Sequence, residues 1–274
     1  MIAGALSFTA MNSMVKQVER LPAFELVFFR SIIACIITLG LLVYYKIPLL
    51  GNQRKLLILR SLAGLIAIVL FFTGLQRLQL GDAVALRYLS PIFALFFATF
   101  FLKEKIKNIQ WLFISFAFIG VMILKGFSGK IPTSGLVIML LAAFFTGIVY
   151  VMIRYLSHKD HYLVIVFYFM TLSTVIGGIV SMFVWSQPQG IEWLFLVALS
   201  ISGFFGQIFM TMALKGEEAN KIVPLKYTEV IFTLIIGIVF FNESYNLYSL
   251  FGIALILSAL LGNLLAKRKE TSDA

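Results

Sequence analysis

Four ionisable side chains stand inside long apolar runs: Arg30, Arg87, Lys226 and Glu229. A charge at the centre of a low-dielectric layer costs about 2.5 to 3.5 kcal/mol on insertion scales, so such groups face a polar cavity or a partner. Arg30 and Arg87 carry a planar fork of donors that matches a carboxylate or phosphate bidentately. The alternative is that their long stems carry the charge out to a polar boundary, with Glu25 pairing at the rim. Lys226 and Glu229 are three apart on one helical face, where they either neutralise each other or meet a bound solute.

Tyr88 and Tyr227 each follow one of these basic residues, and a buried phenol wants a partner for its hydroxyl. Either they bond helix to helix or they wall a cavity; the repetition of a basic residue followed by Tyr favours the wall. Asn12, Gln207, Tyr150 and Tyr168 are further polar candidates, since apolar helices also use single polar groups to hold one another. Pro91 and Pro224 are the two prolines inside apolar runs, where each removes a backbone donor and makes either a hinge or a static kink. Glu104 and Glu243 close those same two runs. A helix C-terminus disfavours an anion; Lys103 and Lys105 flank Glu104, whereas Glu243 has no cation beside it, which predicts a tertiary partner and a gate or lock contact.

Other chemistries find little support. The one cysteine, Cys35, lies in an apolar run, and His158 and His161 share one polar connection with Lys159 and Asp160, so neither a disulfide, a metal cluster nor a nucleophile with its base is expected. Gly177 with Gly178 and Gly203 with Gly206 suit close helix packing and lack the spacing of a phosphate loop. No cofactor and no metal are implied, and no enzyme. The net charge of +10 would suit nucleic acid if it formed one patch, but the basic residues are clustered between apolar runs, so nucleic acid is not an expected partner.

The elements that must position these residues follow from composition. The 274 residues are 61% hydrophobic and 12% charged, with a mean hydropathy of +1.01, far from the balance of a soluble domain. Breaks at charges, Gly and Pro leave ten apolar stretches, at 1 to 16, 24 to 45, 56 to 76, 82 to 102, 108 to 125, 134 to 153, 162 to 185, 192 to 213, 220 to 241 and 246 to 266. In lipid each must be helical, because its backbone groups have to be satisfied internally. With the N-terminus inside, 14 basic residues, Arg60 among them, fall on the inner side and 5 on the outer, which places both termini in the cytoplasm. The first stretch is short for a full crossing and has no basic leader or cleavage pattern, so it is read as a span and not a signal peptide.

Sliding the chain by 139 residues lays 86 to 104 on 225 to 243, with Leu86 on Leu225, Arg87 on Lys226, Tyr88 on Tyr227 and Glu104 on Glu243. Five helices per unit is odd, so the second unit enters from the opposite side. The expected fold is therefore an all-α integral membrane protein of ten helices in two inverted five-helix repeats, residues 1–127 and 133–267, followed by a cytoplasmic tail, 268–274. Such repeats place a solute site at their interface.

The stretches LPAFELVFFRS (21 to 31), GDAVALRYLSPIF with LKEK (81 to 105) and KYTEVIF with FNE (226 to 243) resemble the drug/metabolite transporter superfamily, and within it the EamA family, over nearly the whole chain. The FE-x-x-FFR and Y-x-E patterns are similar to the bacterial S-adenosylmethionine uptake branch. The resemblance implies a central cavity, alternating access without ATP hydrolysis, a bacterial cytoplasmic membrane, and a small-molecule cargo such as an amino acid, a nucleoside or an S-adenosylmethionine-like solute. A coupling proton and a homodimer stay open as partners beside the lipid bilayer. A channel or a non-transporting membrane adaptor is the alternative; paired polar residues in an internal repeat favour a carrier.

Overall fold

A computed structural model describes residues 2–102, 108–128, 131–157, 159–216 and 227–273. Among them there is no strand. The helices are α1 (Ile2–Gln17), α2 (Ala23–Tyr44), α3 (Arg54–Arg77), α4 (Leu80–Arg87), α5 (Ser90–Leu102), α6 (Asn108–Ser128), α7 (Thr133–Leu156), α8 (Tyr162–Val184), α9 (Glu192–Gly216), α10 (Thr228–Phe241) and α11 (Leu247–Asp273). Their ends follow local chemistry. Pro22 and Pro132 precede α2 and α7 in extended conformation, where a missing N–H costs nothing. Asn242, at a φ of 49°, ends α10 in the left-handed region.

Six segments are long and apolar enough to cross a membrane: Ala23–Tyr44, Arg54–Arg77, Leu80–Phe97, Thr133–Leu156, Tyr162–Val184 and Glu192–Met210. Three shorter apolar helices accompany them, Ile109–Lys125, Thr228–Phe241 and Leu247–Asn263. The outer surface is apolar: Met182, Phe183 and Leu247 are 80%, 84% and 83% exposed. Asn12, Glu25, Arg30 and Glu229 are buried. Apolar side chains out and polar ones in is the distribution a lipid solvent selects, and the chain is an integral membrane protein.

One sequence expectation changes. The stretch 82 to 102 is divided by a turn at Tyr88–Leu89 into α4 and α5, so Pro91 is the second residue of a new helix. The last helix extends through residues 268–273.

A shift of 139 residues carries Ala23, the first residue of α2, onto Tyr162, the first of α8, and Asn108 of α6 onto Leu247 of α11. Arg54 of α3 falls on Trp193, one residue inside α9. Packing exchanges in the same way: α1 lies on α9 and α3 on α7, α2 on α9 and α3 on α8, while α2 pairs with α8 and α6 with α11. The last pair meets at Gly120 and Gly252, where a Cβ on either would come within 2.9 Å of the other's carbonyl oxygen; the two helices approach closely because neither residue has a side chain there.

Candidate functional site

Helical periodicity puts Val27, Arg30, Ser31 and Ala34 on the inner face of α2. The Arg30 Nε donates to the Met11 sulfur at 3.3 Å. Room for that guanidinium comes from Gly203 of α9, where a Cβ would sit 3.1 Å from Arg30 Nε and 3.0 Å from Met11 Sδ. On α3, Leu57, Arg60, Gly64 and Phe71 share the buried face. The Arg60 and Arg30 guanidinium carbons lie 4.5 and 5.7 Å from the centre of the Phe169 ring, so one ring of α8 carries two cations. A Cβ at Gly64 would come within 2.9 Å of that ring. Arg87, at the end of α4, lies over Phe71 at 4.1 Å.

These three arginines line one cavity. Phe8, Met11, Arg30, Arg60 and Arg87 come from the first half of the chain; Tyr150, Phe169 and Gln207 come from the second. None of the described lining residues is acidic. Arg30 and Arg60 are both 3% exposed, yet Arg30 Nη1, Arg60 Nε and Arg60 Nη1 are buried with no hydrogen-bond partner. Buried polar groups are normally satisfied, and unpaired guanidinium nitrogens beside a cavity point to a ligand that completes them.

A second polar cluster lies beside this cavity and is differently made. Glu229, near the start of α10, accepts from Asn12 Nδ2 at 3.0 Å and from the Tyr88 hydroxyl at 2.7 Å. The Tyr88 and Tyr227 rings meet edge to face, with centroids 5.2 Å apart. The cluster ties α1, the α4–α5 turn and the start of α10 together.

Polar contacts also join the halves at the loops. The αL turn at Asn242 sends the Glu243 N–H back to the Gly237 carbonyl at 2.9 Å and aims the Glu243 carboxylate at α4, where its two oxygens accept from the Leu80 N–H at 2.9 and 3.0 Å. Tyr245 donates to Glu243, and its hydroxyl accepts from the Gly81 N–H at 3.0 Å. Burial, reinforced by the bond to Glu243, holds the Tyr245 phenol above its ordinary range. The partner of Glu243 is thus a helix N-terminus, whose free amides and dipole receive an anion as a cation would. In the α1–α2 connection Arg20 forms a bidentate pair with Glu192 at 3.2 and 2.6 Å and also bonds Ser186 and Gln187. At the other helix ends the Asp160 carboxylate accepts from the N–H groups of Asn52 and Gln53.

Of the residues singled out in the sequence, Arg30, Arg87, Gln207 and Tyr150 line the cavity, while Asn12, Tyr88, Tyr227 and Glu229 form the neighbouring cluster. Tyr168 donates to the Leu50 carbonyl at 2.7 Å instead. Glu25 is fully buried and accepts from the Ser186 N–H at 3.0 Å, so it binds a loop amide and not an arginine at the rim. Glu104, Pro224, Lys226 and His158 lie outside the described residues. Arg60, counted from sequence with the inner loops, is corrected: it is buried about two turns inside α3 and carries two of the unpaired buried donors, Arg30 carrying another. Its signal was the small-residue face of Ser61, Gly64 and Ala67 on the same helix, which marks an inward side. Phe169 gave no signal among so many phenylalanines. Among the described residues no three His, Cys, Asp or Glu side chains come together as a metal site.

The EamA-like transporter family matches residues 1–125 and again residues 133–265. Similar proteins include the pseudopaline exporter of Pseudomonas aeruginosa, 30% identical over 266 residues that cover 95% of this chain and 93% of that one. Solute carrier family 35 member G1 of Homo sapiens is 28% identical, over 99% of this chain and 79% of its own. The S-adenosylmethionine uptake transporter of Rickettsia prowazekii is 26% identical, over 93% and 87%. A solved crystal structure superimposes with a TM-score of 0.66 at 18% identity, covering 98% of both chains, which shows a shared fold.

Proposed function

Because the chain belongs to the EamA-like transporter family and is a membrane transporter, not an enzyme, we propose that it is a secondary carrier moving a small metabolite across a bacterial cytoplasmic membrane by alternating access. The observation that carries this reading is the cavity lined from both halves of the chain, since a site shared by two bodies is exposed to one side or the other as they rock.

Ten crossings in two inverted five-helix units are the matching architecture. Supporting it are α1, the six long apolar segments and the three shorter ones, the shift of 139 residues, and helix contacts that exchange between halves. In that topology, with both termini cytoplasmic, the Glu243–Leu80 and Arg20–Glu192 contacts close the outer end. Arg60, Tyr150 and Gln207 then stand in the inner halves of their helices, so the state described faces inward. The contacts at Arg20 and at Asp160 join corresponding loops of the two units at opposite ends, and both are formed in this state. Cargo of the amino acid, nucleoside or S-adenosylmethionine type, a coupling proton and homodimer assembly are the finer possibilities that this reading holds.

Purified protein in proteoliposomes tests it, loaded with a panel of radiolabelled metabolites and examined with and without an imposed pH gradient. The expected result is saturable flux that competes between inner and outer solute; a gradient-driven overshoot assigns the proton. Tags on the two termini should label from the same side. Flux that never saturates, or termini on opposite faces, overturns the carrier.

A further inference from the structure

We propose that the cavity selects a small organic dianion, carrying two carboxylates or one phosphate, held by Arg30, Arg60 and Arg87. The proposal rests on the carrier reading for its physiological meaning, but it is argued from the charge and hydrogen bonding of the cavity itself.

Among the described residues three guanidinium groups line the cavity and no carboxylate does. Glu229 is bonded to Tyr88, the chain neighbour of Arg87, and its two oxygens are engaged by Asn12 and Tyr88. The described lining is therefore positively charged, and an anionic ligand neutralises it. Uncompensated charge in a low-dielectric interior is expensive, and here the aromatic faces of Phe169 and Phe71 offset only part of it.

The hydrogen-bond geometry points the same way. Arg30 Nη1, Arg60 Nε and Arg60 Nη1 are buried and unpaired, and charged carboxylate or phosphate oxygens are the acceptors that guanidinium donors bind most strongly. Because Arg30 and Arg60 flank one Phe169 ring, their guanidinium carbons are separated by no more than the sum of their two distances to its centre, a span a short dicarboxylate bridges. A solute carrying a sulfonium cation meets repulsion in this cavity, and a neutral nucleoside leaves the donors without anions. Discrimination against such solutes comes from the same three side chains that favour the dianion.

The test is thermal unfolding of the full-length protein in detergent micelles, at constant ionic strength, titrated separately with succinate, malate, glycerol 3-phosphate, adenosine and S-adenosylmethionine. Ligand that binds only the folded state raises Tm saturably. Succinate, malate or glycerol 3-phosphate should do so, and their order tells carboxylate from phosphate; adenosine and S-adenosylmethionine should not. Arg60→Gln and Arg30→Gln should each weaken the apparent Kd about tenfold or more, with Arg60→Lys between them and wild type. If the glutamine variants do not fold, the wild-type titrations decide alone. Stabilisation by adenosine or S-adenosylmethionine without any by the dianions overturns the proposal. So does chloride matching the dianions at equal concentration, which marks an inorganic anion site only. Dianion binding without saturable flux would sink the carrier and leave this site standing. Saturable flux of adenosine undisturbed by excess malate would do the reverse.

Discussion

Arg87 and Tyr88 are adjacent in the chain and belong to opposite kinds of polar cluster. On the Tyr88 side each Glu229 oxygen is met by a donor from another helix, so the charge is solvated by the protein's own groups. On the Arg87 side, the neighbouring Arg30 and Arg60 hold buried nitrogens that no described residue completes. Both clusters carry the cost of burial. One is compensated within the fold and therefore holds it together; the other is left for something to arrive. A buried charge is evidence of structure or of binding according to where its counter-groups come from.

The sharpest way to break that comparison is to remove a charge from each side. Glu229→Ala leaves Asn12 and Tyr88 without their acceptor and should cost about 2 to 6 kcal/mol, roughly 1 to 3 for each orphaned group. Arg60→Met removes an unpaired buried charge and keeps the apolar bulk over Phe169; its stability should stay within about 1 kcal/mol of wild type or rise. Denaturant or thermal unfolding in mixed micelles reads both. Equal losses in the two variants would mean that the arginines are structural after all.

The Glu243–Leu80 contact sharpens the comparison at the next magnitude. Glu243 is compensated by the free amide of Leu80 and by Tyr245. Glu243→Gln keeps an acceptor for that amide but loses the anion at the helix N-terminus, a loss of about 0.3 to 1 kcal/mol. On the proposed reading of this contact as a gate away from the cavity, affinity in micelles should be unchanged while flux changes; altered affinity would join Glu243 to the site.

Much of the frame was legible. The apolar runs at 24 to 45 and 162 to 185 are the helices Ala23–Tyr44 and Tyr162–Val184, because in lipid a run of apolar residues has one way to satisfy its backbone. Arg30, Arg87 and Gln207 stood out because polarity within such a run is rare. Arg60 did not: six residues after Arg54, it extended a basic cluster that read as a loop, and only packing shows the helix carrying it inward by roughly 1.5 Å per residue. Nor could sequence reveal that Glu243 is answered by backbone amides, since every non-proline residue offers one, and only the fold decides which are left free.

A milder probe stays within the cavity. Gly203→Ala adds a Cβ 3.0 Å from Met11 Sδ and 3.1 Å from Arg30 Nε. Both neighbours are side chains that can yield by a few tenths of an ångström, so stability should fall by no more than about 1 kcal/mol. Arg30 must move, however, and the apparent affinity for cargo should fall several-fold. An unchanged affinity would show that Arg30 does not touch the ligand.

The smallest effect is expected at Pro91. Inside a helix a proline removes a hydrogen bond and kinks the chain; as the second residue of α5 it forfeits nothing, because first-turn N–H groups have no intrahelical partner. The interruption between α4 and α5 is held instead by the turn at Tyr88–Leu89, where the Tyr88 hydroxyl is fixed by Glu229. Pro91→Ala should therefore cost only about 0.4 to 1 kcal/mol, through the freer unfolded chain, and leave the transport rate within about twofold. If the rate collapses while stability holds, the proline itself is the moving part; if it does not, flexing at this point is governed by the same hydrogen bond that anchors Glu229.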